Sequence, residues 1–337
     1  MSTYILGIES SCDDTSASVI CDGKVLSNLI ANQEIHKSFG GVVPELASRA
    51  HQQNIIPVVN QAISNANIDK NQLNAIAYTR GPGLLGSLLV GSSFSKSLSI
   101  GLNIPLIDVN HMQAHLLAHF IEDCGEKKPE FPFIGVTISG GHTQIVLVND
   151  YFDMKIIGQT LDDAIGETFD KCGKMLDLPY PAGPHIDKKS KLGNFKKYIF
   201  TKPKVDGLNF SFSGLKTSVL YKVKDLSEKE DLSEDTVNDI AFEFQNAAID
   251  CLVKKSLKAC LIEHSQSLVL SGGVAANKYL REELEKHKGT INLYYPDQKH
   301  CTDNGLMIAF AGFQKIKEQT KDFSIDVAPR WSLENVQ

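Results

Sequence analysis

Short apolar runs separated by small polar turns open the chain. Tyr4 to Glu9 reads as a buried strand, Ser10 to Thr15 (SSCDDT) as a polar loop, Ser16 to Ile20 as a second strand, Asp22-Gly23 as a hairpin turn and Lys24 to Ala31 as a third strand. The same order returns later, as strand Phe133 to Ser139, the turn Gly140-Gly141-His142-Thr143, strand Gln144 to Val148, the turn Asn149-Asp150 and strand Met154 to Gly158. A repeat carries more information than either copy alone. It predicts two similar lobes facing each other across a cleft, each contributing a hairpin tip of small polar residues able to hold phosphate.

Between and beyond the repeats the pattern turns helical. Pro44 to Ala66 carries Leu46, Ala50, Ile55, Val58, Val59 and Ala62 on one face, with Pro57 expected to bend or split it. Further helices are predicted over Leu85 to Gly101, Leu161 to Leu178, Val237 to Glu263 and Lys278 to Lys286, and from 300–305 to about Lys317. Ala75 to Thr79, Pro105 to Val109, Ser267 to Leu270 and Asn292 to Pro296 read as strands. Pro179 to Asp187 reads as a turn-rich loop, 122–132 as a charged lobe boundary, and the tail from Lys321 as loosely specified. Asp170 and Lys174 are spaced as a helical surface pair.

Composition narrows the class. The 337 residues allow two domains with real cores, and 42% apolar with 22% charged residues is ordinary for a globular protein. A net charge of -6 excludes whole-molecule electrostatic binding of nucleic acid, so any RNA contact is a local patch. Lys188 to Lys204 is one candidate, because lysines there interleave with Phe195, Tyr198 and Phe200. Seven cysteines, none in a CxxC spacing, suggest neither a zinc ribbon nor a disulfide scaffold, and a reducing cytosol is expected. The apolar run near the start is too short for a membrane span and has no basic stretch before it.

The strongest chemical signal is His111 and His115, four residues apart on a helix that directly follows a strand. Side chains at i and i+4 share a helix face, so the pair can clip one metal ion, or be an ordinary hydrogen-bonded pair. Met112 stands where a zinc protease of the HExxH type carries its general base, which disfavours hydrolysis. The Arg80-Gly81-Pro82-Gly83 stretch reads as a turn. Ser271-Gly272-Gly273 to Asn277 joins a strand to a helix and suits a nucleotide, although Asn277 is equally a helix cap. Asp303 reads either as an N-cap or as a carboxylate aimed into the cleft.

These motifs, taken in order, resemble the family that makes N6-threonylcarbamoyladenosine in tRNA, the bacterial TsaD family once labelled O-sialoglycoprotein endopeptidase. The resemblance runs over nearly the whole chain through GIESSCDDT (7–15), GGVVPELASRAH (40–51), RGPGLLGSLLVG (80–91), KSLSIGLNIPLIDVNHMQAH (96–115), ISGGHT (138–143), GETFDKCGKMLDLPYPAGP (166–184), FSFSGLKT (210–217), SGGVAAN (271–277) and CTDNG (301–305). It implies an α/β, two-lobed actin/Hsp70/sugar-kinase-like (ASKHA) fold, with one lobe formed by 1–131 and 304–337 and the other by 132–303. It implies transfer of threonylcarbamoyl from threonylcarbamoyl-adenylate to the N6 amine of the adenosine at position 37, in tRNAs reading codons that begin with A. His111, His115 and Asp303 would hold one divalent metal, Fe2+ with Zn2+ as the alternative, and act through it. Thr137, Ile138, Ser139, Gly140, Gly141, Asp170, Gly183, Asp187 and Asn277 would line the adenylate pocket. The implied partners are tRNA, a dimerising paralogue (TsaB) and a small ATPase (TsaE), in the cytoplasm. Two departures stand out: the family's HMEGH is HMQAH here, and its YPGGP is YPAGP. A small-molecule kinase of the same fold and a non-enzymatic ATP-binding scaffold are the competing readings.

Overall fold

The two repeated hairpins seed two sheets of the same connectivity. The computed structural model describes residues 2–33, 36, 39–121, 128–194, 197–202, 205–228, 232–296 and 302–334. The first sheet is built from β1 (Tyr4–Glu9), β2 (Thr15–Cys21), β3 (Lys24–Ala31), β4 (Ala75–Gly81) and β5 (Leu106–Asn110), in the order β3-β2-β1-β4-β5. The second uses β6 (Phe133–Ile138), β7 (Thr143–Val148), β8 (Met154–Gln159), β9 (Ser267–Ser271) and β10 (Asn292–Tyr294), in the order β10-β9-β6-β7-β8. In each, three strands form an antiparallel meander and the later two join parallel to the first. Even a register shift recurs, at Val19/Ile20 and at Ile145/Val146.

Strand alternation decides what each face meets. Leu6, Ile8, Val19 and Tyr78 of the first sheet pack on α1 (Pro44–Asn65) and α2 (Leu85–Leu102). Ile5, Ile20, Ala77 and Ile107 face the opposite way, into a layer shared with Phe133, Val146 and Val269 of the second sheet. That layer holds α3 (His111–Leu117) and α9 (Gly305–Gln314). The remaining helices, α4 (Ile165–Met175), α5 (Gly183–Ser190), α6 (Ser213–Ser227), α7 (Glu234–Ile262) and α8 (Lys278–His287), belong with the other face of the second sheet.

The two middle helices are exchanged. α9 follows the second sheet in sequence yet covers the first, where a Cβ on Gly7 would lie 2.3 Å from the Gly305 carbonyl oxygen. α3 follows the first sheet yet reaches β6, where a Cβ on Gly135 would lie 2.4 Å from Leu116. The missing side chain in each strand is what lets the foreign helix approach. His119, one turn beyond α3, adds a polar tie: its Nε2–H donates to the Leu270 carbonyl of β9 at 2.8 Å.

Burial pushes the His119 pKa down to about 4, so the fold favours the neutral ring. That contribution is fully present above the unfolded value near 6.5 and is lost as pH falls toward about 4. We expect His119→Gln to make the acid-side decline of the unfolding free energy shallower, by up to one proton or about 1.4 kcal/mol per pH unit, with a correspondingly shallower fall in melting temperature. Parallel melting curves for the two proteins between pH 7 and pH 4 would contradict this.

The structure corrects four expectations. α1 is one continuous helix and is not split at Pro57, which lies on its exposed side, where water can satisfy the carbonyl that the proline leaves unpaired. Its buried face runs through Ala47 and His51 rather than Leu46 and Ala50. Only the first part of Pro179 to Asp187 is loop; α5 starts at Gly183. The tail is firmly tied. Thr320 and Leu106 exchange two backbone bonds of 2.8 Å, Lys96 Nζ donates to the Ile325 carbonyl, and the Arg80 guanidinium lies over the Trp331 ring at 4.7 Å. Farther on, Gln113 Nε2 donates to the Leu333 carbonyl and the Ile156 N–H to Glu334 Oε1.

The lysine-aromatic stretch is laced with ion pairs: Lys189–Glu234, Lys191–Asp187, Lys197–Asp239 and Lys202–Asp250. Its Phe195, Lys196 and Lys204, like 122–127 of the boundary loop, lie outside the described residues. A groove of about 450 Å³ beside it, lined by Ile199, Thr217, Tyr221 and Lys222 among others, contains none of the expected site residues.

Candidate functional site

The parallel strand β5 delivers α3 at its carboxyl end, and Asn110 starts the helix by accepting the Met112 and Gln113 N–H groups at 3.0 and 3.2 Å. This makes His111 the first helical residue and puts His115 directly beneath it on one face. α9 begins in the same way, with Asn304 accepting the Met307 N–H, so Asn304 is the cap. Asp303, one residue outside the helix, is thereby turned toward the histidines. His115 Nε2 lies 3.0 Å from Asp303 Oδ1 and 3.1 Å from His111 Nε2, and His111 Nε2 is 3.5 Å from the same carboxylate oxygen. The exchanged helices α3 and α9 thus bring Asp303 beside a histidine pair from a distant part of the sequence.

The far side of His111 is fixed by Glu9, which sequence reasoning missed. His111 Nδ1–H donates to Glu9 Oε2 at 2.9 Å, with Ser11 Oγ at 3.2 Å. Glu9 is fully buried and also accepts from the Ser11 N–H and from Thr79 Oγ1. A carboxylate on one imidazole nitrogen fixes the tautomer and presents the other nitrogen's lone pair. Burial opposes charge on His111, but Glu9 and Asp303 outweigh it and hold its pKa well above the usual histidine value. Asp303 is held well below the carboxylate range, because the two histidines outweigh its own burial. His142, on the second hairpin tip, is pushed down to about 4 by burial and by the neighbouring histidines.

The donor set fits a divalent cation. Ligand atoms about 2.0–2.2 Å from one ion lie roughly 3.0–3.5 Å from each other, the spacing seen here. Two imidazole nitrogens and a carboxylate oxygen all offer lone pairs to one point, and an ion there replaces the protons that would otherwise be needed to keep them together.

The remaining expected residues form a second, linked group. Thr137 is buried, and its hydroxyl meets Ser271 Oγ at 3.1 Å, tying β6 to β9; Ile138 is also buried, so neither side chain is open to solvent. The Ser139 carbonyl accepts the Gly166 N–H at the start of α4, while Gly140, Gly141, Gly183 and Gly273 each face open space where a Cβ would stand. Asp170 accepts the Ala182 N–H at 2.8 Å, so it ties α4 to the turn before α5 in place of the expected pair with Lys174. Asn277 caps α8 through the Leu280 N–H and also donates to Gln245 Oε1 at 2.9 Å. Gln245 in turn donates to Asp187 Oδ1 at 3.4 Å, and so joins two expected residues that are not in direct contact. Of the Arg80–Gly83 stretch expected as a turn, Arg80 and Gly81 instead finish β4, and only Pro82 and Gly83 form the bend into α2. Its glycine has a packing role, since a Cβ on Gly83 would lie 2.4 Å from the Ser11 carbonyl oxygen.

A family model described as TsaD, tRNA N6-adenosine threonylcarbamoyltransferase, matches residues 24–310. The chain belongs to the TsaD family. Proteins named tRNA N6-adenosine threonylcarbamoyltransferase from Christiangramia forsetii and Riemerella anatipestifer are 55% and 53% identical to it; the first match covers 98% of each chain, the second 96% of this chain and 95% of the relative. One from Phocaeicola vulgatus is 50% identical over 98% of this chain and 99% of its own. Among solved structures, full-length HypF in a phosphate- and nucleotide-bound form superposes on 94% of this chain with a TM-score of 0.60 at 14% identity. HypF from T. kodakarensis gives 0.61 at 12% identity, also over 94% of this chain. The chain spans about half the length of each HypF, 47% and 48%, and the likeness establishes the two-lobed ASKHA-like fold alone.

As a TsaD-family member the chain is a transferase that acts on tRNA, and the small-molecule kinase reading draws no support. Of the three residues that depart from the family pattern, Gln113 and Ala182 each make a local contact, although Gln113 Oε1 is buried without a partner among the described residues. Gln113 bonds the tail carbonyl of Leu333, which a carboxylate could not do. The Ala182 methyl packs where Gly173 has no side chain, and Ala182 has ordinary helical dihedrals, so glycine is not needed there. Among the described residues no helix is long and apolar enough to cross a membrane.

Proposed function

We propose that this chain transfers threonylcarbamoyl from threonylcarbamoyl-adenylate to the N6 amine of adenosine 37 in tRNAs reading codons that begin with A. The convergence of His111, His115 and Asp303 at the junction of the exchanged helices carries the reading. These three residues hold one divalent ion, Fe2+ in preference to Zn2+, and Glu9 orients His111 toward it. When bound, the ion supplies Lewis-acid polarisation of a carbamoyl or phosphate oxygen.

The chain's own residues do the rest. The donor is a mixed anhydride, so the N6 amine attacks the carbamoyl carbon, the C–O bond to phosphate breaks, AMP departs and the amine gives up a proton. The open backbone at Gly140 and Gly141 allows N–H groups to approach the phosphate and the developing negative charge. The backbone of Thr137 to Gly141, together with Asp170, Gly183, Asp187 and Asn277, forms the walls of the adenylate site, with Gln245 bracing Asp187 and Asn277. We assign 1–131 with 304–337 to one lobe and 132–303 to the other. A dimerising paralogue and a small ATPase complete the cytoplasmic system.

The test is nucleoside analysis of unmodified ANN-decoding tRNA after incubation with this protein, those partners and the adenylate. Threonylcarbamoyladenosine should form, disappear on chelation and return with added Fe2+. Product that survives exhaustive chelation would remove the metal from the proposal. No product, with partners shown to be active alongside a relative's enzyme, would overturn the reaction.

A further inference from the structure

α1 buries a histidine in an apolar stripe. His51 has no exposed surface and sits in line with Ala47 and Ile55, on the face that packs against the first sheet. A buried imidazole is costly unless both nitrogens find partners. Here one goes to the loop between β1 and β2 and the other to Thr15, the first residue of β2. Thr15 Oγ1 meets Nδ1 at 2.8 Å, and Nε2 lies 3.0 Å from the Cys12 carbonyl oxygen. A carbonyl can only accept, so Nε2 carries the hydrogen, and Nδ1 accepts from the Thr15 hydroxyl.

The same loop is gripped from α2. Ser87 Oγ donates to the Cys12 carbonyl at 3.0 Å, the Leu84 N–H to the Ser11 carbonyl at 2.7 Å, and Ser10 Oγ to the Ser87 carbonyl at 3.1 Å. The approach is so close that a Cβ on Gly91 would lie 2.1 Å from Ser10 Oγ. The carbonyls of Ser11 and Cys12 are therefore both committed to α1 and α2. That leaves the Ser11 N–H donating to Glu9 and the Ser11 hydroxyl oxygen 3.2 Å from the His111 Nδ1–H.

We propose that His51 is a positioning residue for the transfer reaction: it clamps the Ser10 to Thr15 loop in the one shape that seats Ser11 and Glu9 against His111. It does not touch the reacting atoms. The inference rests on the reading of His111, His115 and Asp303 as a metal site. It differs from a packing role, because a leucine could fill the space but could not hold the Cys12 carbonyl.

The variants are His51→Leu, which keeps volume, and His51→Gln, whose amide can still donate to Cys12. Thr15→Val removes the other bond and leaves His51 in place, in case His51→Leu does not fold. Three quantities are read on full-length protein: Zn2+ affinity by competition with a chromophoric chelator, amide exchange of residues 10–15, and kcat and KM for tRNA with the complete system. His51→Leu and Thr15→Val should exchange faster in that loop, bind Zn2+ about 10-fold more weakly and lose kcat with little change in KM, while His51→Gln recovers most of the loss. Folded His51→Leu or Thr15→Val with wild-type Zn2+ affinity and kcat would overturn the clamp, as would a His51→Gln no better than His51→Leu. Wild-type protein that binds no Zn2+ would overturn the metal reading and the clamp with it, whereas unchanged binding in the variants overturns the clamp alone.

Discussion

His111→Ala is expected to lower the transfer rate about 1,000-fold or more while leaving the protein folded. A Lewis-acid contribution of several kcal/mol, at 1.36 kcal/mol per factor of ten, sets that scale. Loss of this imidazole removes the ligand that is oriented from both sides, by Glu9 and Ser11 behind and by His115 and Asp303 ahead. Folding should survive, because Glu9 keeps the Ser11 N–H and the Thr79 hydroxyl as donors and is not left as a bare buried charge. Circular dichroism and tRNA nucleoside analysis on the same preparation check both halves. Full transfer activity in folded His111→Ala would remove the cluster from the reaction.

Gly7→Ala is expected to have the largest effect on stability, about 3 kcal/mol or more. The added methyl would meet the Gly305 carbonyl oxygen at 2.3 Å, the Ala309 nitrogen at 2.4 Å and the Ala309 Cβ at 2.7 Å. Backbone cannot swing aside as a side chain can, so β1 and α9 must separate, and the layer between the sheets loses its packing. Because α9 begins two residues after Asp303, the same change should weaken metal uptake. Denaturant titration measures the first effect, and a midpoint equal to that of wild type would contradict it.

Much of this architecture is legible in the sequence because hairpins are local. Strand, small polar loop, strand, tight turn and strand follow one another without long-range information, and their repetition announces two sheets. The buried face of α1 departs from its apolar pattern for a definite reason. Counting only apolar residues selects Leu46 and Ala50, while the buried stripe passes through His51, whose polarity is satisfied by a loop 36 residues earlier. Glu9 has a local signal, a carboxylate ending an otherwise apolar strand. Its role requires knowing that His111 lies alongside, a pairing across 102 residues. Gln245 has no comparable signal; it stands in a long helix among many buried positions and matters only because Asp187 and Asn277 flank it. The tail shows little pattern of its own because most of its bonds run through its backbone carbonyls, to Lys96, Arg80, Asn110 and Gln113, with Trp331 and Glu334 as side-chain exceptions.

The exchange of α3 and α9 has a consequence for the order in which the protein is made. A ribosome delivers the first sheet early, yet the helix that covers its inner face is encoded only at residues 305–314. Until then Ile5, Ile20, Ala77 and Ile107 have no lid, and Gly7 faces an empty groove. The first half of the nascent chain therefore cannot close its core on its own. Its completion, the capture of Asp303 beside the two histidines and the tying of residues 320–334 across the first sheet and α3 all wait for the segment from Asp303 onward, so the proposed metal site comes together only after both sheets have been made.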